Sequence, residues 1–138
     1  MNYSSKAGDK AFKYHQSGFH CAEAVSKAII EVYGDLGDDC VPKVATAFGG
    51  GVGRTHQEMC GALAGGMIGI GFLHGRSQPE ADWTLASQLA ARLRERFIDC
   101  FGTTHCGSLL KQFGHQENMM RCKQLTAEVA DMLADILD

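Results

Sequence analysis

The sequence predicts an all-α protein, an irregular single-domain bundle of five or six helices over residues 1–138. Apolar residues recur at helical spacing along most of the chain, and no segment alternates apolar and polar residues with the period of a strand. The apolar content of 45% is enough to build one hydrophobic core without disulfide bonds in a chain of 138 residues. We therefore expect one helical domain.

The N-terminal third of the chain is interpreted as one helical block followed by a short helix. Residues 6–16 and 19–33 carry an apolar stripe that Gly18 interrupts. A shorter helix is expected at about residues 40–48. It is followed by a loop with glycine at four of the five positions 49–53, whose backbone can approach other groups closely.

The spacing of Thr55 and Glu58 is that of a capping box, so we expect the next helix to begin at Thr55. The apolar stretch 59–73 has fifteen residues, fewer than the roughly 20 that a membrane span needs. It is interpreted as a buried core helix. Three of its glycines lie four residues apart on one face, where another backbone or a cofactor can come close: Gly61, Gly65 and Gly69.

Three further helices are predicted towards the C-terminus. Ser77 and Pro79 open a long amphipathic helix that runs to about residue 101. Its inward positions are expected to be Trp83, Leu85, Leu89, Leu93 and Phe97. A short helical piece covers roughly 106–113, and Asn118 is expected to cap a final helix that ends at Leu137.

Charge and the N-terminal composition restrict the partners and the compartment. A net charge of −3 gives nucleic acids and anionic membranes no electrostatic reason to bind, so neither is expected as a partner. The first ten residues contain no apolar run of the kind a signal peptide needs, which favours the reducing cytoplasm. The sequence leaves open whether the protein forms a homo-oligomer through the helix at 79–101.

Six cysteines are many for a cytoplasmic chain, where thiols stay reduced unless they bind metal or carry redox equivalents. No two of them form a C-x-x-C pair, which argues against a thioredoxin motif, a zinc ribbon and c-type haem attachment. Helix N-termini favour the thiolate form, and four cysteines are predicted there: Cys21, Cys60, Cys106 and Cys122. Cys40 and Cys100 lie beside acidic residues and are ranked as accessory.

These motifs resemble those of the C_GCAxxG_C_C family, which is associated with redox activity. The segment 60–65 reads Cys-Gly-Ala-Leu-Ala-Gly and is preceded by Phe-Gly-Gly-Gly at 48–51. One cysteine lies upstream, at Cys21, and two lie downstream, at Cys106 and Cys122. Carried over residue by residue, the family's four cysteines fall on the four that helix placement selects. The resemblance covers nearly the whole chain.

The resemblance implies that the four cysteines bind an iron–sulfur cluster, 2Fe-2S rather than 4Fe-4S, for electron transfer with an unidentified redox partner protein. The family is similar to the cluster-bearing part of split-Soret cytochromes c, whose haem part has no counterpart here. In this interpretation Gly61 and Gly65 lie near the cluster, and His56 is the histidine closest to the site. Whether the protein is itself an oxidoreductase stays open.

Two alternatives remain at this point. A structural zinc ion suits four thiolates equally well. A metal-free thiol–disulfide oxidoreductase would use Cys60 as the attacking, catalytic thiolate and Cys21, Cys106 or Cys122 as its resolving partner.

Overall fold

The computed structural model describes residues 3–34 and 40–138, and this part of the chain contains seven α-helices and no strand. The all-α fold class is thus confirmed, whereas the predicted number of five or six helices is too low. The helices are α1 (Lys6–Ser17), α2 (Cys21–Tyr33), α3 (Cys40–Ala45), α4 (Gly61–His74), α5 (Thr84–Phe101), α6 (Cys106–Phe113) and α7 (Met120–Leu137), with a 3₁₀ turn at Thr46–Phe48. The first predicted block forms two separate helices because Gly18 adopts a φ of 121° and ends α1 there.

Every helix except α3 contributes to one hydrophobic core. Its largest fully buried side chains are Phe97, Ile29, Ile30, Leu63, Ile70, Leu93 and Leu133. Full burial of a side chain of this size contributes about 1.5–3 kcal/mol, so α2, α4, α5 and α7 supply most of the apolar driving force. None of the helices in the described part of the chain combines the length and the apolarity that a membrane crossing requires.

The glycine face of α4 packs directly on α2, as the four-residue spacing predicts. A β-carbon at Gly65 would overlap the carbonyl oxygen of Ala22 and lie 3.0 Å from its Cα atom. A β-carbon at Gly69 would lie 2.9 Å from Cγ2 of Ile29. The backbones of α2 and α4 therefore come closer than any larger residue would permit, and this contact fixes the N-terminal ends of the two helices beside each other.

The predicted capping box at Thr55 is wrong, because α4 begins at Gly61 and not at Thr55. The Thr55 hydroxyl donates instead to the carbonyls of Gly51 and Val52, both at 2.9 Å. Backbone pairing with another part of the chain holds the segment in this extended course: Met59 forms an isolated antiparallel bridge with His105. Pairing across the fold overrides the local capping signal here.

The long helix α5 begins at Thr84. The sequence had placed its first turn at Pro79, five residues earlier. The Asp82 carboxylate accepts from the Thr84 backbone N–H at 3.0 Å and caps the helix at this later point. Trp83 and Leu85, expected to be inward, are 58% and 52% exposed. The other predicted inward positions are buried as expected: Leu89, Leu93 and Phe97.

Candidate functional site

A cavity of about 690 Å³ lies between the C-terminal end of α1 and the N-terminal ends of α2, α4, α6 and α7. Four cysteines line it, each from a different helix start: Cys21, Cys60, Cys106 and Cys122. The structure therefore brings together the four thiols that the sequence singled out. Gly61 and His56 also line the cavity, whereas Gly65 faces the Ala22 backbone and does not.

The two remaining cysteines are separate from this arrangement as far as the structure describes them. Cys100 lies near the end of α5, where it is exposed and does not line the cavity. Cys40 is the first residue of α3, and its side chain lies outside the described part of the chain. Cys100 thus provides a natural reference thiol for experiments on the other four.

The tight packing of α2 on α4 positions Cys21 and Cys60. A β-carbon at Gly61 would overlap the Cys21 sulfur, so only glycine at this position leaves room for that thiol. Cys60 is the residue directly before α4, and its side chain is only 7% exposed. The backbone N–H groups of Ala62 and Leu63, in the first turn of α4, lower the pKa of its thiol, but burial raises that pKa by more.

A short backbone ladder ties Cys106 to Cys60. The Cys60 N–H donates to the Thr104 carbonyl at 2.7 Å, and the Cys106 N–H donates to the Glu58 carbonyl at 2.9 Å. A third bond, from the Gly107 N–H to the His56 carbonyl at 2.9 Å, extends the ladder to His56. These bonds hold the start of α6 directly beside the start of α4 at the cavity.

The glycine loop before the ladder turns in the left-handed sense. Five consecutive residues have positive φ between 61° and 68°: Gly50, Gly51, Val52, Gly53 and Arg54. A β-branched residue such as Val52 rarely adopts this conformation, so its neighbours hold it there against local strain. The result is close approach to two thiols: the Gly50 backbone lies near enough to Cys21 to lower the pKa of its thiol, and Gly51 packs on Cys106.

Cys122 is positioned by Gln116, a residue that sequence reasoning missed. The Gln116 side chain accepts from the Cys122 N–H at 2.9 Å and donates to the Cys122 sulfur at 3.4 Å. It therefore does the capping that was assigned to Asn118. Asn118 itself has a φ of 52°, and α7 begins two residues later, at Met120. The sequence signal that could have identified Gln116 is a glutamine six residues before a cysteine, in the loop preceding a helix.

Burial raises the pKa of all four cavity thiols above the ordinary value for cysteine. The pKa of Cys106 rises to about 11, with the charges of Cys21 and Cys122 adding to the effect of burial. Donated backbone N–H groups lower the pKa of Cys21 and Cys60, but less than burial raises it. The expectation that helix N-termini keep these thiols ionised is therefore wrong for the protein without a bound cation, because desolvation outweighs the helix dipole.

His15, which sequence reasoning also missed, lines the cavity from α1. One of its ring nitrogens lies 3.0 Å from the hydroxyl of the fully buried Thr126 on α7. Burial lowers the pKa of His15 to about 4, and the nearby charges of Lys123 and His20 act in the same direction. His15 is therefore neutral at physiological pH. No local sequence motif marks His15 as a site residue, because only the packing of α1 on α7 brings it to the cavity.

The donor set consists of four thiols, which suit either a zinc ion or an iron–sulfur cluster. No three or more Cys, His, Asp or Glu side chains among residues 3–34 and 40–138 are already arranged to hold one metal ion. A tetrahedral zinc ion with Zn–S bonds of about 2.3 Å draws its sulfurs to roughly 4 Å from one another. An iron–sulfur cluster instead distributes its thiolate ligands over two or more irons. Four thiols around one cavity supply the number of ligands that either group takes.

The fold and the cavity define a small all-helical domain in which four cysteines, each from a different helix start, surround one space. The chain belongs to the C_GCAxxG_C_C family, described as a putative redox-active protein, whose model matches residues 19–136. This match confirms the resemblance drawn from the cysteine and glycine motifs. Comparisons with curated proteins and with solved structures found no match.

Proposed function

We propose that this protein transfers electrons through an iron–sulfur cluster held by Cys21, Cys60, Cys106 and Cys122. The observation that carries the proposal is the convergence of four thiols, from four helix starts, on one cavity. Membership of a family described as redox-active supports the same conclusion. The preference for a 2Fe-2S over a 4Fe-4S cluster rests on the resemblance of the motifs alone.

The cluster, once bound, supplies one-electron chemistry, and the protein supplies ligands and polar contacts. Ionisation of the thiols accompanies binding of the cationic irons, which removes the cost that burial imposes on a free thiolate. The backbone N–H groups of Gly50, Ala62 and Leu63 lower the pKa of Cys21 or Cys60, and they would donate hydrogen bonds to the sulfurs of a bound cluster. Such hydrogen bonds stabilise the reduced state, in which the sulfurs carry more negative charge, and so raise the reduction potential.

The raised thiol pKa values weigh against the metal-free alternative. Thiol–disulfide exchange begins with attack by a thiolate, and burial raises the pKa of Cys60, the proposed attacking residue. Only a small fraction of this thiol ionises near neutral pH, whereas a bound metal displaces the proton directly. We therefore rank exchange below metal binding. The proposed partner in either case is a redox protein, and the proposed compartment is the cytoplasm.

Anaerobic reconstitution tests the proposal. The full-length protein is incubated with ferrous iron and sulfide, and iron, sulfide and protein are measured after desalting, together with the visible spectrum. We expect stoichiometric iron and sulfide and strong charge-transfer bands. Cys60→Ser should lose these bands, whereas the matched control Cys100→Ser, which changes an exposed thiol outside the cavity, should retain them.

Three results would overturn the proposal, and each is informative. Iron near zero in the wild type rules out the cluster. A colourless protein with stoichiometric zinc makes the domain a structural zinc protein. Rapid formation of a reversible disulfide among the cavity cysteines, without metal, identifies a thiol–disulfide oxidoreductase.

A further inference from the structure

We infer that the cavity also binds a small organic acid with an apolar body, in the part that extends beyond the four thiols. The volume of about 690 Å³ lies within the range of pockets for small organic ligands, roughly 300–1,000 Å³. This inference goes beyond the proposed function, because it assigns a second occupant to the same cavity and its binding does not require the cluster.

The length of α6 shows that the cavity continues past the cysteines. Phe113 lines the cavity seven residues after Cys106, which at about 1.5 Å per residue places it roughly 10 Å farther along the helix axis. Leu109 and Leu110 line the stretch between them. Leu109, Leu110 and Phe113 form an apolar wall that has no role in holding the thiols.

Packing from one side keeps this apolar wall in place. The Arg121 guanidinium lies over the Phe113 ring at 4.8 Å and pairs with Glu128 at 3.2 Å. Met119 and Met120 also line the cavity and are 46% and 38% exposed. Methionine side chains are flexible and adapt to different apolar shapes, as the rim of a ligand cavity requires.

In the metal-free protein, where the four thiols are protonated, the charge of the lining favours an anion. None of the described residues that line the cavity is Asp or Glu, although the whole chain has a net charge of −3. Lys123 is the lysine of the lining, and three histidines accompany it: His15, His20 and His56. An acid group beside Lys123 would form a charge-assisted hydrogen bond inside a largely apolar space, where such bonds are strongest.

Two fluorescent probes of nearly the same shape test this inference. The probe 8-anilinonaphthalene-1-sulfonate carries an aromatic body and one negative charge, and N-phenyl-1-naphthylamine carries the same body without the sulfonate. We expect the anionic probe to bind the wild-type protein more tightly than the neutral one. Its affinity alone should fall as sodium chloride is raised.

Variants test whether the acid group of the ligand lies beside Lys123 and whether its apolar body lies against the wall formed by Leu109, Leu110 and Phe113. Lys123→Gln should weaken binding of the anionic probe about 10- to 100-fold, which corresponds to the loss of one charged hydrogen bond, and leave the neutral probe unchanged. The control Lys111→Gln removes the same charge from an exposed position on α6 outside the lining and should change neither. Leu110→Ser should weaken both probes.

The outcome is read separately from that of the proposed function. Calorimetric titration of the iron-loaded protein, where cluster absorption quenches fluorescence, should give the same stoichiometry as the metal-free protein. Loss of binding on iron loading would overturn the inference, since the cluster would then fill the cavity. Equal affinity for both probes, or an equal effect of Lys111→Gln and Lys123→Gln, would overturn it as well. The two comparisons between probes and between lysine variants use the metal-free protein, so they do not depend on whether iron binds.

Discussion

The contact between α2 and α4 gives the sharpest quantitative prediction, because two glycines of the same helix differ only in what they face. A β-carbon at Gly65 would overlap the backbone oxygen of Ala22 and lie 3.0 and 3.1 Å from two further backbone atoms of that residue. A β-carbon at Gly71 would meet nothing within 4 Å. Replacing each by alanine therefore separates helix propensity from packing.

The magnitudes follow from these surroundings. Alanine in place of glycine within a helix gains about 1 kcal/mol at either position. At position 65, α2 and α4 must move apart because backbone cannot rotate away, and overpacking of this kind costs about 3 kcal/mol, at the upper end of the usual range. We thus expect Gly65→Ala to lose about 2 kcal/mol of unfolding free energy and Gly71→Ala to gain about 1 kcal/mol.

Urea unfolding followed by circular dichroism measures both variants. With a urea dependence of about 2 kcal/mol per molar, Gly65→Ala should unfold about 1 M earlier than the wild type, and Gly71→Ala about 0.5 M later. A Gly65→Ala protein as stable as the wild type would refute the close packing of the two helices. Equal losses in both variants would show that α4 tolerates no alanine for reasons unrelated to α2.

Three further predictions concern the site itself. Iodoacetamide at pH 7.5 should modify Cys100 before Cys60, because Cys100 is exposed whereas Cys60 is only 7% exposed and has a raised pKa. Mass spectrometry after digestion gives the order of labelling, and faster labelling of Cys60 would contradict its burial. His15 has a folded-state pKa of about 4, below its unfolded value near 6.5, so the unfolded chain binds the extra proton first and stability falls as pH drops from 6.5 to 4. The loss should reach at most about 1.4 kcal/mol per pH unit and be absent in His15→Gln, as urea titrations at several pH values will show; an identical slope in the variant would assign the loss to other groups. Gly61→Ala should displace the Cys21 thiol and lower the iron content after reconstitution several-fold, whereas Gly71→Ala should leave the iron content unchanged. Full iron content in Gly61→Ala would mean that the Cys21 side chain is free to move aside.

The parts of the fold that depend on local signals could be predicted from the sequence. Apolar periodicity located the helices, and Gly18 and Gly102 end α1 and α5 at the expected points. Neighbouring residues placed Cys21 and Cys106 correctly at helix starts, and the family motif named the same four cysteines, although the caps predicted at Thr55 for Cys60 and at Asn118 for Cys122 were wrong. The spacing of Gly61, Gly65 and Gly69 indicated close packing, although it did not name α2 as the partner.

The remaining features depend on contacts between distant parts of the chain. The Thr55 capping box failed because residues 56–60 pair with residues 104–107, a choice that no local preference reveals. Gln116 and His15 reach the site through loop geometry and the packing of α1 on α7. The protonation state of the thiols was predicted in the wrong direction, since the helix dipole can be inferred from sequence, whereas the depth of burial that outweighs it cannot.

The backbone ladder that joins the starts of α4 and α6 has a consequence for how long a bound group stays in place. Because the ladder pairs the segments that carry Cys60 and Cys106, the two sulfurs would act as a chelating pair on any group that both of them bind. If one bond broke, the other would keep the group within reach, and the first bond would form again at a high effective concentration. Release would require the second bond to break before the first forms again, so the residence time would be long even where each single bond is labile.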